Sequence, residues 1–187
     1  MGYTIFLDRD GVINQDSPEY IKSPEEFHFI DKSPEAISLL TSHGFDVILI
    51  TNQSAIGREM ITRATLEAIF DKMRAGVEAA GGVIKDIFFC PHIPGAGCAC
   101  RKPLPGLIGQ AVHRHGIDPA NSLMVGDSAK DIECGLAAGC DKTVLVSTGN
   151  GKKAVPELAE KGIRPDFLAG DLYAAARWII STIPSLR

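Results

Sequence analysis

Apolar runs of four to six residues alternate along this chain with stretches whose apolar positions recur every three or four residues. Tyr3-Thr4-Ile5-Phe6-Leu7 is the first run and reads as a buried strand. Asp46 to Ile50, Ile84 to Phe89, Ser122 to Val125 and Thr143 to Val146 predict four more strands, the last of these closing the sheet. Between them lie helices. Ser33-Pro34-Glu35 opens one, with Ser33 as N-cap and Pro34 at the first helical position, and it ends near His43-Gly44. A long helix follows Thr62 and runs to Gly81-Gly82. Others cover about residues 106–115, Ile132 to Ala138 and 171–181. This alternation predicts an α/β fold: a Rossmann-like parallel sheet with helices on both faces. Two segments are irregular, a polar loop over roughly residues 11–32 and a Pro-, Gly- and Cys-rich loop from Cys90 to Leu104. Neither has room for a separate cap domain, so one domain over residues 1–187 is expected.

Polar residues gather where the strands end. Asp8-Arg9-Asp10-Gly11 follows the first strand, Thr51-Asn52 the second and Gly126-Asp127 the fourth. Parallel strands bring their carboxyl ends to one edge, and ligands bind there. Side chains two apart on an extended strand point the same way, so Asp8 and Asp10 are expected to face one ligand. Acids this close repel unless a cation or a proton intervenes. By themselves these residues also suit a strand followed by an Asp-Gly turn. Lys102, after the third strand, reaches the same edge. The set is two or three carboxylates, a hydroxyl, an amide and a lysine. Carboxylates with phosphate and water suit Mg²⁺. One carboxylate can attack phosphorus, a second can move a proton, and the other groups stabilise the transferring charge.

Totals narrow the partners. Hydrophobic residues make up 45% and charged residues 22%, as in ordinary globular proteins. The net charge of −4 gives no basic surplus for nucleic acid or a membrane surface. An anionic small molecule stays compatible, because local charge in a pocket outweighs the total. The first residues lack a signal-like stretch, and Phe6 stands where myristoylation needs a hydroxyl. A cytoplasmic, monomeric protein is expected. There the thiols stay reduced, and clustered cysteines point to metal. Cys90-Pro91-His92 followed by Cys98-Ala99-Cys100 supplies three thiols and an imidazole, a closed structural Zn²⁺ site. Cys134 and Cys140 read as buried small residues.

Asp8-Arg9-Asp10-Gly11, Thr51-Asn52-Gln53, Lys102 and Gly126-Asp127-x-x-x-Asp131 resemble, in order and placement, the four motifs of the haloacid dehalogenase superfamily. The resemblance implies that Asp8 is the nucleophile and Asp10 the general acid/base. Thr51 and Lys102 would hold the phosphoryl group. Asp127 would bind Mg²⁺ with Asp8 and the backbone carbonyl of Asp10. Asp131 is open to two readings, helix cap after Ser128 or part of the metal shell. Within the superfamily, the loop ending Cys98-Ala99-Cys100-Arg101-Lys102-Pro103 resembles small cap-less phosphatases of heptose bisphosphates and of histidinol phosphate. Leu104-Pro105-Gly106 and Thr148-Gly149-Asn150-Gly151 favour the first group, acting at C7 of a heptose 1,7-bisphosphate on the way to nucleotide-activated heptose for lipopolysaccharide. The same resemblance makes Arg101 a substrate contact. It also lines the sugar pocket with Asp16, Ser17, Pro18 and Glu19 and with Asn52, Gln53 and Ser54. One departure is Ser128, where some relatives carry lysine.

A rival of another class is a zinc-stabilised module that only binds phosphate, but such a module has no need of Asp10. Gly149 to Ala154 fits a G-x-G-x-x-A pattern, yet it follows what reads as the last strand, and Pro156 interrupts the helix after it. Nucleotide binding is therefore not expected, and Lys152 and Lys153 read as a solvated turn. His28, His43, His113 and His115 show no partner pattern.

Overall fold

The computed structural model describes residues 2–184. Along the chain run β1 (Thr4–Leu7), α1 (Ser33–Ser42), β2 (Asp46–Asn52), the one-turn α2 (Ser54–Gly57), α3 (Arg63–Ala79) and β3 (Asp86–Cys90). Then come α4 (Gly106–His115), β4 (Ser122–Gly126), α5 (Ala129–Ala138), β5 (Lys142–Val146), α6 (Gly151–Glu160), β6 (Phe167–Ala169) and α7 (Leu172–Thr182). The six strands among the described residues are all parallel, in the order β3-β2-β1-β4-β5-β6. The order reverses at β1, which lies between β2 and β4. A crevice opens at the carboxyl ends on either side of such a reversal.

Both faces of the sheet are covered, which is why the central strands are apolar at successive positions. Ile5, Leu7, Val47, Leu49 and Val125 pack in one core with residues of α1, α3 and α7. Their neighbours Phe6, Ile48, Ile50 and Met124 point the other way, onto Leu107, Ile108 and Ala111 of α4 and Cys134 of α5. A smaller cluster of Ile132, Leu145, Ala154 and Leu158 seats α6. Cys134 and Cys140 are buried as expected. No helix among the described residues is long and apolar enough to cross a membrane.

The fold departs from the sequence reading in several places. Ser33 is not an N-cap. Lys32 takes that position with φ 59° and no side-chain bond, while Ser33 Oγ donates to Ile13 O at 2.6 Å and ties the polar loop to α1. β5 is not the last strand, because β6 pairs with it over three residues, too short a run to stand out. Pro156 does not interrupt α6, which runs through it. Proline removes one ladder bond there, and the burial of Ala154 and Leu158 on the inner face holds the helix regardless. His115 has a partner after all, with Nε2 2.8 Å from Asp86 Oδ2.

The exposed Pro156 leaves the Lys152 carbonyl without its helical donor. Pro156→Ala is expected to stabilise the protein by about 1 kcal/mol or more. A thermal melt checks this, and an unchanged Tm would show that the proline costs α6 nothing.

Candidate active site

The ends of β1, β2 and β4, the loop after β3 and the start of α6 enclose a cavity of about 520 Å³. At its floor lies Lys102, 2% exposed. Its Nζ sits 2.8 Å from Asp8 Oδ1 and 2.5 Å from Asp131 Oδ1, and it donates to Ile50 O at 2.8 Å. Asn52 fixes the backbone of this lysine through both ends of its amide. Asn52 Oδ1 accepts from Lys102 N at 3.1 Å, and Asn52 Nδ2 donates to Lys102 O at 3.2 Å. Asn52, expected on the sugar, therefore spends its amide on the lysine loop while still lining the cavity.

Asp8, Asp127 and Asp131 each bring a carboxylate oxygen to one place, all within 4.8 Å of one another. Three buried acids against one lysine leave a surplus of negative charge. Burial pushes the Asp8 carboxyl up to about 7 against the pull of Lys102, with Asp131 adding to the rise. Burial and then the charges of Asp8 and Asp131 push Asp127 up to about 8. The same charges outweigh burial at Lys102 and hold its ammonium charged far above neutral pH. Such a group of hard oxygens is fitted to a divalent cation. Asp131 also forms a capping box, accepting from Ser128 N at 3.0 Å and from Ser128 Oγ at 2.6 Å. The cap geometry is thus present, and the same carboxylate braces Lys102.

Asp8 and Asp10 both line the cavity, as expected, but their carboxylates bond to different neighbours. The strand geometry stops at Asp8, and the chain turns at Gly11, with φ +79°. The Asp10 carboxylate takes Arg9 Nε at 3.0 Å and Arg9 Nη2 at 2.6 and 2.8 Å. Asn14 Nδ2 and Gln53 Nε2 each add a bond of 2.9 Å. Burial would raise its pKa, but the Arg9 charge and these bonds outweigh burial and hold the carboxyl below its usual range. Arg9 is itself 1% exposed, its guanidinium 5.8 Å above the Phe70 ring.

Gly11 and Gly149 close around Asp127. A Cβ at either position would come within 2.1 Å of Asp127 Oδ2, and both have positive φ. Asn150 completes that cradle, donating from N at 2.7 Å and from Nδ2 at 3.3 Å to the same oxygen, and from Nδ2 to Asp16 Oδ2 at 3.0 Å. The sequence reading misses Asn150 because its segment fits a dinucleotide loop. The glycines on either side are the usable signal, since they mark a backbone that must come close to something. Lys153 is not merely a solvated turn: it lines the cavity mouth from the first turn of α6. Lys130 lines it too, two residues beyond Ser128. Asp16, Ser17, Pro18, Thr51, Gln53, Ser54 and Arg101 reach the cavity as expected, but Glu19 does not. Glu19 sits exposed at a turn closed by Tyr20 N donating to Ser17 O at 3.0 Å, and Tyr20 takes its place on the wall.

Beside the floor, Cys90, His92, Cys98 and Cys100 converge, with no disulfide among them. His92 Nδ1 lies 3.5 Å from Cys90 Sγ and 3.3 Å from Cys100 Sγ. Cys90 Sγ lies 3.7 Å from Cys98 Sγ and 3.1 Å from Cys100 Sγ. Ligands arranged tetrahedrally about 2.3 Å from Zn²⁺ are about 3.8 Å apart, so the donor set suits that ion, with the four groups standing somewhat inside the metal-bound spacing. Arg101 Nη1 donates to His92 O at 3.0 Å, tying the cluster to the cavity wall.

Residues 99–175 match the HAD-hydrolase-like family. The chain is 47% identical over 153 residues to D-glycero-beta-D-manno-heptose-1,7-bisphosphate 7-phosphatase of Bordetella bronchiseptica, covering 82% of this chain and 85% of the relative. It is 43% identical over 177 residues to the enzyme of the same name from Pseudomonas putida, covering 94% and 98%. The chain belongs to the heptose-1,7-bisphosphate phosphatase family. A crystal structure of a member, the D,D-heptose 1,7-bisphosphate phosphatase of B. bronchiseptica complexed with magnesium and phosphate, superposes with a TM-score of 0.89 at 44% identity. That alignment covers 96% of this chain and 98% of that one. Membership fits the cap-less architecture, in which loops alone wall the cavity of this family member.

Lys102→Met leaves three buried carboxylates without a cation, and the expected loss is about 3–5 kcal/mol at pH 8 in chelator. The loss shrinks at pH 5.5, because Asp8 and Asp127, raised in the folded state, then carry protons. Lys102 itself stays charged across this range, so it adds no pH dependence of its own. Denaturant unfolding at both pH values checks the difference, and an equal loss at both would break the charge argument.

Proposed function

We propose that this chain is a single-domain, cytoplasmic, Mg²⁺-dependent phosphatase that removes the C7 phosphate of D-glycero-D-manno-heptose 1,7-bisphosphate. The observation that carries the reading is the convergence of Asp8, Asp127 and Asp131 around Lys102 at the switch point of the sheet. Its support from relatives is the magnesium and phosphate bound by the solved B. bronchiseptica enzyme. The β anomer is the proposed substrate, since relatives at 42–47% identity are named for it.

In the proposed mechanism an Asp8 oxygen attacks phosphorus. Lys102 keeps Asp8 Oδ1 paired and leaves the other oxygen to react. Asp10, ionised in the free site, takes up a proton from solvent as the negative charge of the substrate enters and passes it to the leaving C7 oxygen, so the alcohol departs neutral. Asp10 then takes a proton from the water that attacks the aspartyl-phosphate, which frees phosphate and restores Asp8. Thr51 and Lys102 hold the phosphoryl oxygens. Asp8, the Asp10 carbonyl and Asp127 are the proposed holders of Mg²⁺, which when bound neutralises charge on the transferring group. Asn150 keeps Asp127 aimed at that place. Arg101 is the proposed contact for a substrate oxyanion, as a guanidinium suits two phosphate oxygens.

Cys90, His92, Cys98 and Cys100 are the proposed ligands of a structural Zn²⁺, with the cytoplasm keeping the thiols reduced. The loop they tie down leads directly into Arg101 and Lys102. Zinc then acts at a distance, by fixing where those two cations stand.

Asp8→Asn is expected to fold, with an unchanged circular dichroism spectrum, and to show no turnover. Substantial residual activity would rule out Asp8 as the nucleophile. Comparing kcat/KM on heptose 1,7-bisphosphate and on histidinol phosphate tests the substrate, and a preference for histidinol phosphate overturns it. Stripping zinc should lower kcat/KM with Mg²⁺ in excess, and zinc re-addition should restore it. Full activity in zinc-free protein, measured with metal content by mass spectrometry, sinks the positioning role.

A further inference from the structure

Gln53, a sugar contact by resemblance, turns its amide inward. It is 4% exposed. Nε2 donates to Thr51 Oγ1 and to Asp10 Oδ2, each at 2.9 Å. The orientation is chemically fixed, because turning the amide over would set its oxygen against the Asp10 carboxylate. Two consequences follow from this one group. A hydroxyl that accepts a hydrogen bond keeps its own proton free to donate. Thr51, 1% exposed and on the cavity wall, is thereby set as a donor toward whatever lies in the cavity. Asp10 is held from the opposite side by Arg9 and Asn14, which sit on its own turn. Gln53 reaches it from the end of β2, so the relative placement of the two strand ends is set through this amide.

We propose that Gln53 is a positioning residue of the reaction, holding the Thr51 hydroxyl as a phosphoryl donor and the Asp10 carboxylate in line with the leaving oxygen. This rests on the roles given above to Asp8, Asp10 and Thr51. Gln53 never touches substrate in this account. It acts on the chemical step and leaves sugar binding alone, which separates it from a wall residue.

Gln53→Met keeps the length of the side chain and removes both donors. On heptose 1,7-bisphosphate with Mg²⁺, kcat is expected to fall about 10–100-fold with KM changed less than about threefold. In single turnover, release of p-nitrophenol from p-nitrophenyl phosphate should fall less than release of the heptose, because that leaving group needs no proton. In an Asp10→Asn background the same substitution should cost much less than in the intact enzyme, since its main target is already gone. Gln53→Glu, of equal size, replaces the amide NH2 that makes both bonds with an acceptor oxygen and should lose at least as much. It also stands in if Gln53→Met fails to fold. An unchanged kcat, a raised KM with kcat intact, equal losses on both substrates, or fully multiplicative losses with Asp10→Asn each overturn the proposal. If Asp8→Asn is inactive while any of these occurs, only the role of Gln53 falls. If Asp8→Asn retains turnover, the reading beneath it falls as well.

Discussion

The ion pairs of Lys102 with Asp8 and Asp131 are the constraint around which this structure is arranged. A buried ammonium is tolerable only with acids beside it, and buried acids are tolerable only with a cation beside them. Each group therefore sets where the others can be. Asp8 comes from the end of β1, Asp131 from the first turn of α5, and Lys102 from the loop after β3. Three segments far apart in sequence meet at one nitrogen, and Asn52 and Ile50 at the end of β2 fix the lysine from behind. The sheet order makes this meeting possible, since β2 and β4 flank β1.

One lysine does not balance three carboxylates. Burial first, and then the unbalanced negative charge, raise the pKa of Asp8 and of Asp127, so the folded chain disfavours their ionised forms here. Such a local cost to stability is what the proposed cation site and reactive carboxylate would impose. Asp10, two residues from Asp8, shows the opposite sign. Arg9, Asn14 and Gln53 surround it and hold it ionised. Two neighbouring acids of one tetrapeptide thus occupy different electrostatic environments, and a cation held by Asp8 and Asp127 would bring that raised pair down toward the ionised form a nucleophile needs.

Much of this was legible in the sequence for a simple reason. Strands buried on both faces give continuous apolar runs, and polar residues placed just after them must lie at the sheet edge. The cysteine loop was legible because ligand spacing within a dozen residues needs no knowledge of the fold. What was not legible depended on contacts between distant segments. Asn52 and Gln53 looked like pocket lining because nothing local shows that Asn52 bonds to Lys102, or Gln53 to Asp10. The cradle of Gly11, Gly149 and Asn150 around Asp127 joins residues more than a hundred positions apart. Short or irregular elements were lost too: three-residue β6 has no period to read, and α6 carries a proline that packing overrides.

The absence of a cap domain places a further demand on this framework. Without a lid, water is not excluded by closure, so precision must come from rigid placement of the reacting groups before substrate arrives. The structure meets that demand with short connections. Asn52 holds the Lys102 backbone through both ends of its amide, Arg101 is tied to His92, and Asn150 bridges Asp127 and Asp16. Each link joins one segment of the cavity lining to another. Two of the walls, the loop after Asp10 and the loop from Pro91 to Pro105, have no regular secondary structure, and a metal held by the cysteine cluster would stiffen the second. In the proposed reaction specificity and catalysis then depend on the same loop, because the residue proposed to meet substrate, Arg101, precedes Lys102, which pairs with the proposed nucleophile Asp8.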